Sequence, residues 1–91
     1  MMLKIVLSNR FKKDLKLAVK RGYKIELLEN VVDRLSAGEV LDAKHKDHPL
    51  VGNYHGFREC HITPDWLLIY QIDNGELILL LSRTGTHSDL F

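Results

Sequence analysis

The spacing of apolar residues in the first part of the chain predicts one strand followed by two helices. Residues 3–7 form a short apolar run with β-branched side chains, which is typical of a strand. After Ser8, whose side-chain oxygen can cap a helix, apolar and small residues recur at three- and four-residue spacing as far as Gly22. The same spacing returns between Ile25 and Gly38. Because few residues connect the two patterns, we expect an antiparallel pair of helices.

The remainder of the chain has the pattern of a long loop followed by strands. Residues 39–56 are polar and rich in histidine, glycine and proline, as loops are. Extended patterns follow over residues 57–62, 66–72 and 76–83, and the Asn-Gly pair at 74–75 favours a tight hairpin between the last two. We therefore predict an α+β fold. The N-terminal strand and an antiparallel three-strand meander form one sheet, with both helices on one face.

The length and composition of the chain exclude several classes of protein. Ninety-one residues suffice for a single domain, which we expect to span residues 1–91. The one cysteine, Cys60, rules out an internal disulfide and fits a reducing compartment. The apolar run at the N-terminus is shorter than a signal-peptide core, and no segment is long enough to span a membrane. These features predict a cytoplasmic protein.

The charges are unevenly distributed, although the net charge is only +1. Residues 1–24 contain eight basic side chains and one acidic one, a balance of +7, whereas residues 25–91 contain five basic and eleven acidic side chains, a balance of −6. This asymmetry favours binding of a polyanion such as RNA to one surface. The candidate contacts are the lysines on the polar face of the first predicted helix: Lys12, Lys13, Lys16 and Lys20. A solvated lysine face without such a role explains the pattern equally well.

The predicted hairpins bring several chemically useful side chains to one end of the sheet. His61, Asp65 and Trp66 lie where one strand turns into the next. Because each strand of about eight residues covers roughly 26 Å, the final strand returns Arg83 to the same end. His87 follows shortly after Arg83 and is within reach of the others.

Two further candidates lie in less constrained segments. His48 is in the long loop and joins the cluster only if that loop folds back along the sheet, which an extended segment of about 26 to 29 Å is long enough to allow. Phe91 ends the tail that carries His87, and an aromatic ring can stack on an unpaired base.

This set of side chains matches the needs of RNA cleavage through the 2′-hydroxyl of the RNA itself. Such a reaction requires a base for the hydroxyl proton, a cation for the phosphorane and an acid for the departing 5′-oxygen. Histidine suits both proton transfers near neutral pH, and Arg83 supplies the cation. The spacing of positions 48, 61, 65 and 87 matches no compact ligand motif, so we expect neither a metal nor another cofactor.

Each candidate also has an ordinary structural explanation. A histidine such as His48 in a polar loop is usually solvated, and Asp65 after a proline is typical of a turn. Trp66 is more often a core residue than a platform for bases. Arg83 can form a structural salt bridge, and Phe91 can fray or fold onto the core. The functional interpretation therefore depends on the convergence of these residues rather than on any one of them.

Ordered sequence blocks occur at 46–50 (Lys-Asp-His-Pro-Leu), 56–59 (Gly-Phe-Arg-Glu), 61–70 (His-Ile-Thr-Pro-Asp-Trp-Leu-Leu-Ile-Tyr) and 83–91 (Arg-Thr-Gly-Thr-His-Ser-Asp-Leu-Phe), together with Gly52 and the Phe-Lys-Lys-Asp start of the first helix. They resemble the signature blocks of the YafQ branch of RelE-type toxins, and the likeness covers essentially the whole chain. The resemblance implies a RelE-like microbial RNase fold. It also implies a toxin of a type II toxin–antitoxin pair that enters the ribosomal A site, cuts mRNA during translation and is silent while its antitoxin is bound.

By matching position, the functional residues of that family fall on His48, His61, Asp65, Trp66, Arg83, His87 and Phe91. The resemblance implies that His87 is the general acid and that Asp65 or His48 is nearest the base role. It implies that Arg83 stabilises the phosphate.

The same resemblance implies contacts and partners. Trp66 and Phe91 would shape the mRNA site, and the lysine-rich first helix would face ribosomal RNA. The expected antitoxin is a ribbon-helix-helix protein with an acidic, disordered tail, and operator DNA is bound only through it. Two alternatives remain. One is a ParE-like gyrase inhibitor, which shares the fold without needing the histidines, and the other is a transcriptional corepressor module that acts through the antitoxin.

Overall fold

A five-stranded sheet and three helices make up residues 2–91, the part of the chain that the computed structural model describes. Along the sequence these elements are β1 (Lys4–Leu7), α1 (Asn9–Lys20), α2 (Ile25–Ser36), β2 (His48–Pro49), β3 (Arg58–Thr63), β4 (Trp66–Asp73), β5 (Ile78–Gly85) and α3 (His87–Leu90). Two short 3-10 turns, Ala43–His45 and Gly52–Tyr54, lie between α2 and β3. The predicted α+β class is confirmed. Within the described residues, no helix has the length and apolar character needed to cross a membrane.

The strands are ordered β1-β5-β4-β3-β2 across the sheet. β3, β4 and β5 form the predicted antiparallel meander, and β1 pairs in parallel with β5, from Lys4 beside Ile78 to Leu7 beside Leu81. Since β1 and β2 occupy opposite edges, the chain must cross the sheet between them, and α1 and α2 make up most of that crossing. The final strand β5 then returns to the side of β1.

The residues that the sequence predicts to cap the start of α1 and to end both long helices do so in the structure. Ser8 caps α1, because its Oγ accepts a hydrogen bond from the backbone N–H of Phe11 at 3.0 Å. The same hydroxyl donates to the carbonyl of Ser82 at 2.7 Å, which joins the start of α1 to β5. Gly22 (φ +81°) and Gly38 (φ +77°) follow the helices in the left-handed conformation, which glycine adopts without strain.

Side-chain alternation along the strands gives the sheet two different faces. On the helix-covered face, side chains from the helices and their connections pack against alternate strand residues in the main core: Phe11, Ala18, Leu28, Val31, Val32, Leu35, Leu41, Cys60, Ile62, Trp66, Leu68, Tyr70, Leu79 and Leu81. The opposite side, called the second face below, carries a smaller apolar cluster: Leu50, Tyr54, Phe57, Leu67, Ile69 and Leu90. The central strands are thus apolar on both faces, as predicted.

The long loop predicted over residues 39–56 contains a strand that the sequence did not predict. β2 pairs antiparallel with β3, which places His48 beside Glu59. The hydroxyl of the buried Tyr70 donates a hydrogen bond to Oδ1 of Asp47 at 2.6 Å, directly before β2. This bond holds the loop against the sheet, so the loop folds back as the inclusion of His48 in the cluster requires.

The hairpin between β4 and β5 has a longer turn than the tight hairpin that the Asn-Gly pair favours. β4 ends at Asp73 and β5 begins at Ile78, so the intervening residues form a longer turn. Oδ1 of Asp73 accepts a hydrogen bond from the backbone N–H of Glu76 at 3.1 Å, and Leu77 takes a positive φ of +57°. An aspartate side chain can close a turn in this way. With this turn, β5 begins at Ile78 and ends at Gly85, two residues later at each end than the predicted 76–83.

Replacing Leu68 by alanine tests the main core. Leu68 has no exposed surface, so Leu68→Ala is expected to lower the free energy of unfolding by about 2 to 5 kcal/mol, measured by chemical denaturation. The control is Leu17→Ala, because Leu17 is 41% exposed on α1 and its truncation is expected to change that free energy by no more than about 0.5 kcal/mol. Equal destabilisation by the two variants would contradict the packing described.

Candidate active site

Glu59 lies between two histidines on the second face of the sheet. The register places His48 beside Glu59 across β2 and β3, and His61 follows two positions later on β3, so the three side chains project from one face. Oε1 of Glu59 is 3.6 Å from Nε2 of His48 and 3.7 Å from Nε2 of His61. The Glu59 side chain is only 5% exposed, whereas His48 is open to solvent. The buried carboxylate of Glu59 therefore lies next to both imidazoles, of which that of His48 is the more exposed to solvent.

Backbone carbonyls determine which nitrogen of each imidazole faces this carboxylate. Nδ1 of His48 is 2.7 Å from the carbonyl oxygen of Lys46, and Nδ1 of His61 is 3.3 Å from that of Pro64. Because a carbonyl oxygen only accepts, Nδ1 carries the hydrogen in both rings and donates it. Nε2 of each ring is therefore the atom that can take up or release a proton.

Asp65 and His87 line the same cavity at one end of the sheet. The cavity has a volume of about 470 Å³, and its other lining residues are Tyr23, Pro64, Thr86 and Ser88. Pro64 is also the residue whose carbonyl accepts the hydrogen bond from His61. The structure thus brings His61, Asp65 and His87 to the same end of the sheet, as the strand lengths predict.

Arg83 is held by an ion pair with Asp14 of α1. Its Nε and Nη2 donate hydrogen bonds to the Asp14 carboxylate at 2.7 and 3.2 Å, and both side chains are largely buried. The backbone N–H of Thr84 donates to the same carboxylate at 3.1 Å. The hydrogen bond with Asp14 is the main cause that raises the pKa of Arg83 above its ordinary value. The guanidinium is therefore a fixed cation, and Nη1 is the nitrogen not bonded to Asp14.

The tail folds into α3, a short helix that the sequence did not predict. Thr86 and Asp89 form a capping box: the Thr86 N–H donates to the Asp89 carboxylate at 2.9 Å, and the Asp89 N–H donates to the Thr86 hydroxyl at 3.2 Å. Arg21 at the end of α1 donates two further hydrogen bonds to Asp89, at 2.6 and 3.2 Å. Chiefly through the bond from Arg21, the pKa of Asp89 is held well below its usual range. The helix that begins with His87 is thus tied to α1.

Phe91 packs against two rings and keeps an exposed surface. Its ring centroid lies 5.4 Å from that of His87 and 5.7 Å from that of Tyr54. The residue is 58% exposed. Phe91 therefore supports His87 and still presents a surface on which a base can stack.

Trp66 is almost completely buried, close to Asp65. It is only 3% exposed, its Nε1 donates a hydrogen bond to Oγ1 of Thr84 at 2.8 Å, and its ring centroid lies 5.0 Å from that of Tyr23. Its ring belongs to the main core and supports the turn that carries Asp65. The small exposed part of the residue lines a cavity of about 340 Å³ together with Asp65, and contact between Trp66 and the message stays a prediction.

The predicted lysine face of α1 is open to solvent at every position: Lys12, Lys13, Lys16 and Lys20 are exposed. Asp14 is the one acidic residue of α1, and Arg83 engages it. The exposed surface of this helix is therefore basic, with the charge that binding of a polyanion requires.

Two acidic residues of the site, Asp14 and Glu59, were not predicted from the sequence. Asp14 is 69 positions away from Arg83, and nothing in the local pattern links them. For Glu59 a signal was available: it alternates with His61 in a strand whose intervening residue, Cys60, is buried. Polar residues at alternate positions of a strand share a face, so the pair could have been placed together.

Comparison with known proteins identifies the family. The model of the bacterial toxin of type II toxin–antitoxin system, YafQ, matches residues 3–91. The chain belongs to the YafQ family. The mRNA interferase toxin YafQ of Escherichia coli strain K12 is 41% identical over 85 residues, which cover 92% of this chain and 90% of that protein. An mRNA interferase is an endoribonuclease, so the predicted family and class of enzyme are confirmed.

Solved structures of YafQ-type toxins share the fold over nearly the whole chain. A metal-bound toxin from Helicobacter pylori has a TM-score of 0.94 at 51% identity, covering 99% of this chain and 100% of that one. A chain of the Escherichia coli DinJ-YafQ toxin–antitoxin complex has a TM-score of 0.90 at 39% identity, covering 100% and 99%. The predicted RelE-like fold is thereby confirmed. Among residues 2–91 of the present YafQ-family chain, no group of three or more histidine, cysteine, aspartate or glutamate side chains is arranged to hold a metal ion.

Replacing Asp89 by asparagine tests the ion pair that holds the tail. The pKa of Asp89 is lower in the folded chain than in the unfolded chain, where an aspartate titrates near about 3.9. Ionised Asp89 therefore stabilises the fold above that pH, and the contribution is lost as the pH falls through the lower folded pKa. Thermal melting is expected to show that Asp89→Asn is less stable than the parent chain near about pH 7, with a difference that shrinks below about pH 4.

The control for this measurement is Asp33→Asn. Asp33 is exposed on α2 and takes part in none of the ion pairs found among residues 2–91, so its replacement is expected to have little effect at any pH. A melting difference for Asp89→Asn that stayed constant from neutral pH to about pH 2 would count against the stabilising ion pair.

Proposed function

We propose that the chain is a ribosome-dependent endoribonuclease that cuts mRNA in the ribosomal A site and so inhibits translation. The observation that carries this proposal is that Asp65 and His87 line one cavity. His61 is bonded to Pro64, which also lines that cavity, and lies beside Glu59. This arrangement gathers groups that donate and accept protons at one place on the surface of a YafQ-family toxin. The Escherichia coli relative at 41% identity is named an mRNA interferase, which supports the same substrate class for this chain.

In the proposed reaction the RNA supplies its own nucleophile. A base removes the proton of the 2′-hydroxyl, and the 2′-oxygen attacks the adjacent phosphorus. The bond from phosphorus to the 5′-oxygen then breaks while an acid protonates that oxygen. The products are a 2′,3′-cyclic phosphate and a 5′-hydroxyl, and the protein gives one proton and takes one. The proposed reaction uses no metal ion.

We assign the acid role to His87 and the base role to Asp65, because the two side chains face one cavity. His48 is the alternative base, since its Nε2 can accept a proton and its side chain is open to solvent. We assign His61 to proton transfer beside Glu59. Its hydrogen bond to the carbonyl of Pro64 connects Glu59 and its two histidines with the cavity that Asp65 and His87 line.

We assign Arg83 to the phosphate. The pairing with Asp14 keeps the guanidinium cationic and in one position, which suits stabilisation of the charge that develops on the phosphorane. The exposed ring of Phe91 is assigned to a base of the message. Trp66, which is almost completely buried, is assigned to shape the mRNA site from the core.

The exposed lysines of α1 are assigned to ribosomal RNA: Lys12, Lys13, Lys16 and Lys20. Each ammonium group that neutralises a phosphate releases a counterion, so binding to the ribosome should weaken as the salt concentration rises. Because ribosomes are the proposed site of action, we expect the toxin to act in the cytoplasm.

The proposed inhibitor is a ribbon-helix-helix antitoxin whose acidic, disordered tail folds onto the basic surface of the toxin. The Escherichia coli DinJ-YafQ toxin–antitoxin complex supports an antitoxin that binds the toxin directly. In this proposal operator DNA is contacted only through the antitoxin.

Replacing His87 by alanine tests the general acid. On purified ribosomes carrying a message, the parent chain is expected to cut within A-site codons, and His87→Ala to cut about 10² to 10⁴ times more slowly, since it lacks the proton donor. His55→Ala is the control, because His55 is exposed in the loop before β3 and has no assigned role. Undiminished cleavage by His87→Ala would refute the assignment. Equal cutting of free RNA without ribosomes would contradict ribosome dependence.

Replacing Glu59 by glutamine tests the buried carboxylate as a positioning residue. Glutamine keeps the shape of the side chain but removes the charge between the two imidazoles, so kcat is expected to fall by at least about tenfold, or about 1.4 kcal/mol in the barrier, with KM little changed. Glu76→Gln in the exposed β4–β5 turn is the control. A variant with parental kcat, or one in which only KM changes, would argue against this role.

A further inference from the structure

We propose that a second cavity, next to the one that holds His87, binds the message nucleobase adjacent to the cleaved phosphate. The cavity lies between the start of α2 and the turn that joins β3 to β4, and its volume is about 340 Å³. Six residues line it: Tyr23, Lys24, Leu27, Thr63, Asp65 and Trp66. The proposal rests on the proposed function, because it requires RNA in the neighbouring cavity.

The two cavities share part of their walls. Tyr23 and Asp65 line both of them, and the neighbouring cavity also contains His87. An RNA strand with its reacting phosphate at Asp65 and His87 can therefore place an adjacent nucleotide beside Tyr23. The base of that nucleotide then lies directly beside the second cavity.

The walls of the cavity suit the flat face of a base. The ring of Tyr23 lies against Trp66 with 5.0 Å between the ring centroids and 57° between the ring planes. Leu27 adds an apolar wall. Unpaired bases stack on aromatic rings, and every base has a face that can do so. The volume also falls within the range of about 300 to 1,000 Å³ that is typical of small-ligand sites.

The end of α1 fixes Tyr23 before any ligand arrives. The backbone N–H of Tyr23 donates to the carbonyl of Ala18 at 3.0 Å, and that of Gly22 donates to the carbonyl of Val19 at 3.0 Å. Gly22 makes this closure possible through its positive φ of +81°. Because the backbone that carries the Tyr23 ring is already held in place, binding a base against this ring requires less further loss of conformational freedom.

Three polar side chains in the lining can read the edge of a base. The ammonium group of Lys24 donates hydrogen bonds, the carboxylate of Asp65 accepts them, and the hydroxyl of Thr63 does either. The edges of the four bases differ in their pattern of donors and acceptors. This cavity is therefore expected to give the toxin a sequence preference at one position beside the cut.

Filling the cavity tests the proposal without replacing a catalytic group. Leu27→Trp places a bulky indole ring in the cavity. Val40→Trp is the matched control, because Val40 is 90% exposed and lies outside the lining. Both variants are compared with the parent chain on ribosome-bound messages that differ in the bases beside the cut. We expect Leu27→Trp to cut the preferred messages at least about tenfold more slowly and to lose the preference at one position, and Val40→Trp to match the parent chain.

Parental rate and preference in Leu27→Trp would overturn the proposal. Thermal melting establishes whether Leu27→Trp is folded. If it is not, Thr63→Val serves in its place, because valine keeps the shape of threonine and removes only the hydroxyl from the lining. That variant is expected to change the preference at the same position, and an unchanged preference would again overturn the proposal.

A binding measurement separates failure of this site from failure of the proposed function. Trp66 is the single tryptophan of the chain, so its indole N–H gives one NMR signal that reports on the cavity. A dinucleotide with deoxyribose at its first position, which the proposed chemistry does not cleave, is expected to shift that signal, whereas inorganic phosphate is not. No shift with the dinucleotide, or an equal shift with phosphate alone, would overturn the site even if the message is cut. A shift in a chain that cuts no message would support the site and contradict the proposed function.

Discussion

The antiparallel register of β3, β4 and β5 is the constraint on which the core and the site both depend. Side chains alternate between the two faces of a strand, so the register that buries Cys60 and Leu68 beneath the helices also directs Glu59 and His61 to the second face. A slip by one residue would exchange the two sets, placing charged side chains in the core and apolar ones in the site. The same pairing therefore sets the stability of the fold and the composition of the site.

Helix α1 adds a second constraint, because it holds two parts of the site through charge. Asp14 pairs with Arg83, and Arg21 pairs with Asp89 next to the helix that begins with His87. Charges held in place in this way stabilise developing charge without reorganising during the reaction. The exposed lysines of the same helix face outward, so in the proposed function one element positions the site and also contacts ribosomal RNA.

Much of the fold could be predicted from the sequence, because helix and strand spacing and helix caps are properties of neighbouring residues. Ser8 caps α1 as predicted, and strand length alone brought His61 and His87 to one end of the sheet. β2 could not be predicted in the same way, because a two-residue strand has no pattern of its own. It is held in place by tertiary contacts, among them the bond from Tyr70 to Asp47, 23 positions apart. The burial of Trp66 and the partner of Arg83 likewise depend on residues distant in sequence.

The 2′-hydroxyl of the message is the group on which the proposed chemistry depends most directly. A ribosome-bound message with deoxyribose on the 5′ side of the cut keeps the phosphate and every base but lacks the nucleophile. We expect the purified toxin to leave this message intact, while it cuts the matched all-ribose message and leaves a 2′,3′-cyclic phosphate on the fragment. Cleavage of the substituted message at the same bond and at a comparable rate would contradict catalysis through the 2′-hydroxyl.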